Sequence, residues 1–267
     1  MYGAIIGDII GSVYEFKNNK SKEFELFTDK MTYTDDTVMT LAVAKALSEY
    51  DSINDTEAFK RTLIECMHEL GNEYIFAGYG GRFLSWIMRR STEPYNSYGN
   101  GSAMRVSPCV WYASSLDEAM DIAELTAAVT HNHPEGIKGA RVTAGAGYLA
   151  RSGADKDEIR KFVEQYYALD FTIDEIRPDY KFDVTCQGTV PQAMEAFLES
   201  ESFEDCLRTA ISVGGDSDTL AAIACTVAEA YYGVPITMQI YATSYLDTTL
   251  ASIVTDFEAK HPIGKGE

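Results

Sequence analysis

Apolar residues in this chain recur at the spacing of a helix far more often than at the alternation of a strand, which limits the fold to helices packed on helices. Met39, Ala42, Val43, Ala46 and Tyr50 fall on one helical face, as do Leu220, Ile223, Ala224, Val227 and Tyr231. Further helices are predicted near 55–70, 81–90, 102–113, 117–129, 135–151, 155–166, 189–199, 203–213 and 245–259. Gly, Asn, Asp and Pro punctuate between them, at Gly78-Tyr79-Gly80-Gly81, Tyr98-Gly99-Asn100-Gly101, His133-Pro134-Glu135-Gly136 and Gly214-Gly215-Asp216. With no internal repeat and no low-complexity linker, the economical reading is an all-α chain folded as one compact domain over residues 1–267. Residues 17–30 carry the densest local charge and no period. They are predicted as an exposed loop, either a surface connector or a mobile lid.

Apolar residues make up 46% of the 267, ample for a core. No apolar run reaches the length of about 18 that would suggest a membrane span. The opening Met1-Tyr2-Gly3-Ala4-Ile5-Ile6-Gly7-Asp8 has no basic leader, and Asp8 breaks its apolar stretch, so a signal peptide is not expected. Five dispersed cysteines without a C-x-x-C pair suggest reduced thiols and a cytoplasmic setting. The formal charge of −19 disfavours nonspecific nucleic-acid binding. Any phosphate-bearing ligand must then be held by local devices such as metal ions, helix N-termini and backbone amides.

Two segments stand out for chemistry. Thr34-Asp35-Asp36-Thr37 directly precedes the amphipathic run from Val38, and Gly214-Gly215-Asp216-Ser217-Asp218-Thr219 directly precedes the run from Leu220. Each puts two carboxylates and hydroxyls at a helix start. Two explanations are open: they are N-caps and first-turn acids that suit the macrodipole, or they are ligands. Capping needs one side chain, not a doubled set at both places. The donors are all hard oxygens, which suit Mg²⁺, Mn²⁺ or Ca²⁺, and the absence of Cys and His makes zinc a poor fit. If the starts converge, each close like-charge pair costs about 4 kcal/mol at roughly 4 Å and an effective dielectric near 20. Two divalent cations would balance Asp35, Asp36, Asp216 and Asp218.

In order and wording, six motifs resemble the ADP-ribosylglycohydrolase family. They are Gly7-Asp8-Ile9-Ile10-Gly11-Ser12-Val13-Tyr14-Glu15, Tyr33-Thr34-Asp35-Asp36-Thr37, Gly78-Tyr79-Gly80-Gly81, Ser97 through Arg105, Thr130-His131 and Gly214 through Thr219. The resemblance runs from residue 3 to about residue 233. It implies a compact orthogonal helical bundle with two Mg²⁺ or Mn²⁺ ions at the bottom of a cleft. Thr34, Asp35 and Asp36 would hold the ions from one side, and Asp216, Asp218 and Thr219 from the other. Glu15 matches an acidic residue that some members carry on a mobile loop over the metals. Gly78, Tyr79, Gly80 and Gly81 match a loop that contacts the diphosphate, although alone such a stretch is an ordinary helix-to-helix turn. Ser97, Tyr98, Gly99, Asn100 and Gly101 match a second substrate loop, and His131 a position that touches the ligand. Arg105 suits either phosphate or a structural salt bridge. His133 reads as a turn residue, His68 and His261 as structural, and Cys186 as a residue near the cleft without an assigned role.

The implied activity is hydrolysis of the glycosidic bond between ADP-ribose and a modified protein side chain, with ADP-ribose and the ADP-ribosylated substrate as partners. The motifs lean toward a serine or O-acyl linkage over arginine. An oxocarbenium-like transition state calls for an activated water and a proton donor, and the candidates are Glu15, Asp35 and Asp36, with Glu15 the better for proton transfer. The competing readings are a metal-dependent nucleotide-diphosphate phosphohydrolase and a noncatalytic ADP-ribose-binding or structural relative. The second would be expected to lose metal-ligand positions, and here all six are present.

Overall fold

The structure, a computed structural model, describes residues 1–262. Among them fifteen helices follow one another, and the only β pairing is an isolated antiparallel bridge between Gly99 and Thr185. The first half holds α1 (Tyr2–Gly11), α2 (Asp35–Ser48), α3 (Thr56–Glu73), α4 (Gly81–Met88), α5 (Gly101–Met104), α6 (Ser107–Tyr112) and α7 (Leu116–Ala128). The second holds α8 (Pro134–Arg151), α9 (Lys156–Val163), α10 (Ile173–Ile176), α11 (Cys186–Glu199), α12 (Phe203–Val213), α13 (Ser217–Tyr232), α14 (Ile236–Tyr245) and α15 (Thr248–Lys260). No described helix is long and apolar enough to cross a membrane.

The centre is α13. Its residues from Ser217 to Ala230 are all buried, so it is enclosed on every side rather than along one stripe. Around it pack α1, α8, α11 and α12. The closest partner is α1, because Gly3, Gly7 and Gly11 recur every four residues and form one smooth face. A Cβ on Gly7 would lie 2.4 Å from the Ala221 carbonyl carbon, and one on Gly11 would lie 2.4 Å from the Asp218 Cα. Backbone therefore meets backbone along this seam. The other faces of α1 bury Ile5, Ile6, Ile9 and Ile10 completely, each contributing roughly 1.5–3 kcal/mol of hydrophobic stabilisation.

Two sequence expectations need correction, and a third is made more definite. The helix expected over 102–113 is two helices. Pro108 has no N–H to bond to the Met104 carbonyl, so α5 ends there, and Thr40 Oγ1 donates to that carbonyl instead at 3.4 Å. Helices α1, α10 and α14 are absent from the sequence expectation: α1 is buried on nearly every side, α10 is one turn long, and α14 buries only Met238 and Ala242, so none shows a period. Residues 17–30 are irregular but fastened. Lys20 Nζ donates to the carbonyls of Tyr180 (2.8 Å) and Val213 (2.6 Å), and Arg208 Nη1 donates to those of Lys22 and Phe24. The segment is a strap tied across α12 rather than a loose loop.

Candidate active site

The first acidic start is organised by Asp8, a fully buried residue of α1. Its Oδ1 accepts the Thr34 hydroxyl at 2.7 Å, and its Oδ2 accepts the backbone N–H groups of Thr34 (2.9 Å) and Thr37 (3.0 Å). Thr34 Oγ1 in turn accepts from the Asp36 N–H at 3.4 Å as the N-cap of α2. Capping is thus carried by Asp8 and Thr34, and the carboxylates of Asp35 and Asp36 are left for something else. The Asp35 N–H donates to the Ala77 carbonyl at 2.8 Å, which ties the Gly78 loop to the same helix start.

The second start depends on a tight turn, with Gly214 and Gly215 at φ +74° and +70°, a region other residues rarely adopt. The strap braces this turn, since the Gly215 N–H donates to Asn18 Oδ1 at 3.1 Å. Asp216 is the N-cap of α13 yet makes no side-chain capping bond. Its Oδ2 accepts from Asn100 Nδ2 at 2.7 Å, and the same amide reaches Thr189 Oγ1 at 3.1 Å.

The two starts meet. Thr219 Oγ1 donates to Asp36 Oδ2 at 3.1 Å, while Asp36 Oδ1 is buried with no partner among the described residues. Glu15, Asp216 and Asp218 each bring one oxygen into a group whose members lie within 4.8 Å of one another. Burial first, and then the neighbouring carboxylates, lift the group out of the usual range. Glu15 rises to about 8 and Asp216 to about 6. Asp35, Asp36 and Asp218 are held well above the ordinary value, and Asp8 is raised, mainly by burial, against the pull of its hydrogen bonds. None of these six acids forms an ion pair among the described residues. A buried, all-oxygen, uncompensated anionic cluster with an orphaned carboxylate oxygen fits hard divalent cations.

Above the cluster opens a cavity of about 450 Å³, within the size range of small-molecule sites. Its wall includes Glu15, Asp35, Asp36, Asp216, Asp218 and Thr219 at one end. Gly78, Gly80, Gly81, Ser97, Gly99, Asn100, Gly101 and His131 also line it. A Cβ on Gly80 or Gly81 would meet nothing within 4 Å, so neither glycine answers to a neighbouring protein atom. Gly80 N-caps α4 without a side-chain bond, and the amides of the first turn have no side-chain partner among the described residues.

Thr34, Tyr79 and Tyr98 stand off this wall. Thr34 is bound to Asp8; Tyr79 is buried with its ring 5.5 Å from Phe83; Tyr98 is 45% exposed and tilts against His133. Cys186 is also not on the wall, since its thiol is enclosed near Ser102 and the Gly99 carbonyl. His133 N-caps α8, and His68 stacks on Trp86. Arg105 is fully buried on the wall and forms no salt bridge among the described residues, so one of its two sequence readings falls.

Sequence reasoning passed over Asp8 as a site residue, although an acid inside the apolar stretch of α1 was its signal. It also passed over Arg82, Tyr95, and the stacked pair Phe16 and Phe182 (centroids 6.1 Å apart) on the wall, which no local pattern marks.

A family model described as ADP-ribosylglycohydrolase matches residues 1–242. ADP-ribosylhydrolase ARH3 of Bos taurus is 25% identical, with 92% of this chain and 88% of the relative covered. ADP-ribosylarginine hydrolase Tri1 of Pseudomonas putida (strain GB-1) is 26% identical, with 88% and 70% covered. A solved structure described as an ADP-ribosylglycohydrolase-related protein complex shares the fold, with a TM-score of 0.72 at 22% identity over 97% of this chain and 95% of that one.

Proposed function

The chain belongs to the ADP-ribosylglycohydrolase family and is a glycohydrolase, and from that premise we propose that its cleft binds the ADP-ribose of a modified protein and releases it whole. The observation that carries this reading is the hydrogen bond between Thr219 and Asp36, which joins the two acidic starts at the end of the cavity. In this reading the chain acts as one domain, residues 263–267 of the expected 1–267 lying outside those described, and the linkage cut is serine or O-acyl in preference to arginine. The lean toward serine or O-acyl rests on the Glu15 segment and the Ser97-Tyr98-Gly99-Asn100-Gly101 motif, and the similarity to an ADP-ribosylarginine hydrolase makes arginine the direct competitor. Five buried free thiols support a cytoplasmic setting.

Asp35 and Asp36, with the lone pair that Thr34 Oγ1 keeps after its bonds to Asp8 and the Asp36 N–H, on one side, and Asp216, Asp218 and Thr219 on the other, would hold two divalent ions, Mg²⁺ or Mn²⁺. When bound, these ions supply Lewis acidity and neutralise the cluster. Asn100 keeps the Asp216 carboxylate turned toward the cluster, and Asp8 fixes the backbone from which Asp35 and Asp36 project. Gly80 and Gly81 leave room for an anion to reach the amides at the start of α4, which suits the diphosphate. Ser97, Gly99, Asn100, Gly101 and His131 line the path for the riboses; ring contacts from Tyr79 and Tyr98 are not part of the proposal. Glu15 combines access to the mouth with an oxygen beside Asp216 and Asp218. It is therefore the group assigned to pass a proton between water and the departing side chain, while Asp35 and Asp36 orient the reacting centre.

Product analysis by mass spectrometry tests this. Serine- and arginine-ADP-ribosylated peptides incubated with Mg²⁺ should yield intact ADP-ribose and the bare peptide, and chelator should stop the reaction. AMP with a ribose-phosphate-bearing peptide would instead establish a phosphohydrolase and overturn the proposal.

A further inference from the structure

Arg105, Thr130 and His131 form a buried chain beside the cleft, and its hydrogen-bond directions can be read from donor and acceptor capacity alone. Arg105 Nη2 donates to the Thr126 carbonyl at 2.8 Å and to Thr130 Oγ1 at 2.8 Å, and Thr130 Oγ1 lies 2.8 Å from His131 Nδ1. A guanidinium has no acceptor, so Thr130 accepts from it. The hydroxyl proton then has one acceptor within reach, the Nδ1 lone pair. The reverse arrangement, with Nδ1–H donating, would load Thr130 with two donors and strand its own proton in a fully buried site. His131 Nε2 has no hydrogen-bond partner among the described residues and is not sealed from the cavity. Gly99 and Gly101 flank this edge: a Cβ on Gly101 would lie 3.2 Å from Nε2.

We infer that Arg105, acting through Thr130, is a positioning residue that locks His131 as the neutral Nε2–H tautomer and so presents a fixed N–H donor to an oxygen acceptor in the cleft. The imidazolium form is opposed by burial first and then by the nearby Arg105 and Arg82, in keeping with a ring that donates without carrying charge. The guanidinium itself is fully buried without an ion pair and has an unpartnered Nε, so its polarity is spent on this relay rather than on a counter-ion. The acceptor class follows from the reading of the cleft as an ADP-ribose site: a ribose hydroxyl or a phosphate oxygen, not a donor group.

The test combines ¹⁵N-histidine NMR with calorimetric binding of ADP-ribose, on wild type, Thr130→Val and Thr130→Ser. His131→Gln identifies the His131 signals. Wild type should show protonated Nε2 and bare Nδ1. Thr130→Val should lose that pattern and bind ADP-ribose about tenfold more weakly, and Thr130→Ser should restore both. An Nδ1–H tautomer in wild type, or Thr130→Val with unchanged tautomer and affinity, would overturn the relay. If wild type shows Nε2–H yet binds no ADP-ribose, the relay holds and the ligand reading fails.

Discussion

Removing one buried carboxylate should stabilise the metal-free protein, the opposite of what loss of a buried hydrogen-bonded group normally does. Asp218 is the residue to change. It is 4% exposed, and it is the largest charged neighbour raising each of Glu15, Asp35 and Asp36. Asp218→Asn keeps the shape, and its side-chain oxygen can still accept the Thr219 N–H, now 3.0 Å from Asp218 Oδ1. A close pair of like charges costs about 4 kcal/mol at roughly 4 Å and an effective dielectric near 20. Protonation within the cluster already relieves part of that, so a net gain of about 2 kcal/mol is expected in chelator at pH 8. For a chain of this size that corresponds to roughly 4–8 °C in Tm. With saturating Mg²⁺ or Mn²⁺ the order should reverse, because wild type gains stability from the ions and the variant does not. Differential scanning calorimetry in chelator and in metal reads both arms. An Asp218→Asn protein that melts below wild type in chelator would refute the claim that these carboxylates repel one another across a shared site.

Other expectations follow from the same geometry. Glu15 and Asp216 titrate higher folded (about 8 and about 6) than unfolded; the folded chain therefore binds more protons, and this stability is complete near pH 4 and lost as pH rises through 6 and 8. Calorimetry in chelator should show Tm falling from pH 5 to pH 8.5, with metal flattening the slope; a rising Tm would contradict the sign. Gly11→Ala places a Cβ 2.4 Å from the Asp218 Cα, so α1 and α13 must part by about 1 Å. The expected cost is at least 1–3 kcal/mol together with weaker metal binding, and wild-type values in urea unfolding and metal titration would disprove the tight seam. Glu15→Gln should lower kcat on ADP-ribosylated peptide by about 10²- to 10⁴-fold with metal retained, and near-normal turnover would end its proton-transfer role.

The helical class was legible because amphipathic helices such as α3 and α9 advertise their inner face. It was less legible where burial is uniform. The runs from Val38 and Leu220 each show one apolar face in sequence, but α2 is enclosed nearly all round and α13 wholly so, a property that periodicity cannot report. The Gly3, Gly7 and Gly11 seam is equally invisible to a search for apolar residues, since it works by absence of side chains. The acidic starts were readable because doubled acids exceed what capping needs. Their convergence was not, because no spacing along a chain encodes a contact such as Thr219 to Asp36. Asp8 shows the same limit. Its isolation in an apolar stretch marked it as unusual, but its three hydrogen bonds to Thr34 and Thr37 exist only once α1 and α2 are side by side.

Two chain segments, far apart in sequence, build one cation site between them. Isothermal titration of Mn²⁺ into chelator-stripped wild type, Asp36→Asn and Asp216→Asn addresses it directly. Wild type should take up two ions, and each variant, altered in a different segment, should lose affinity for both. Wild type that binds no ion, or variants that bind as wild type does, would contradict a site shared by the two segments.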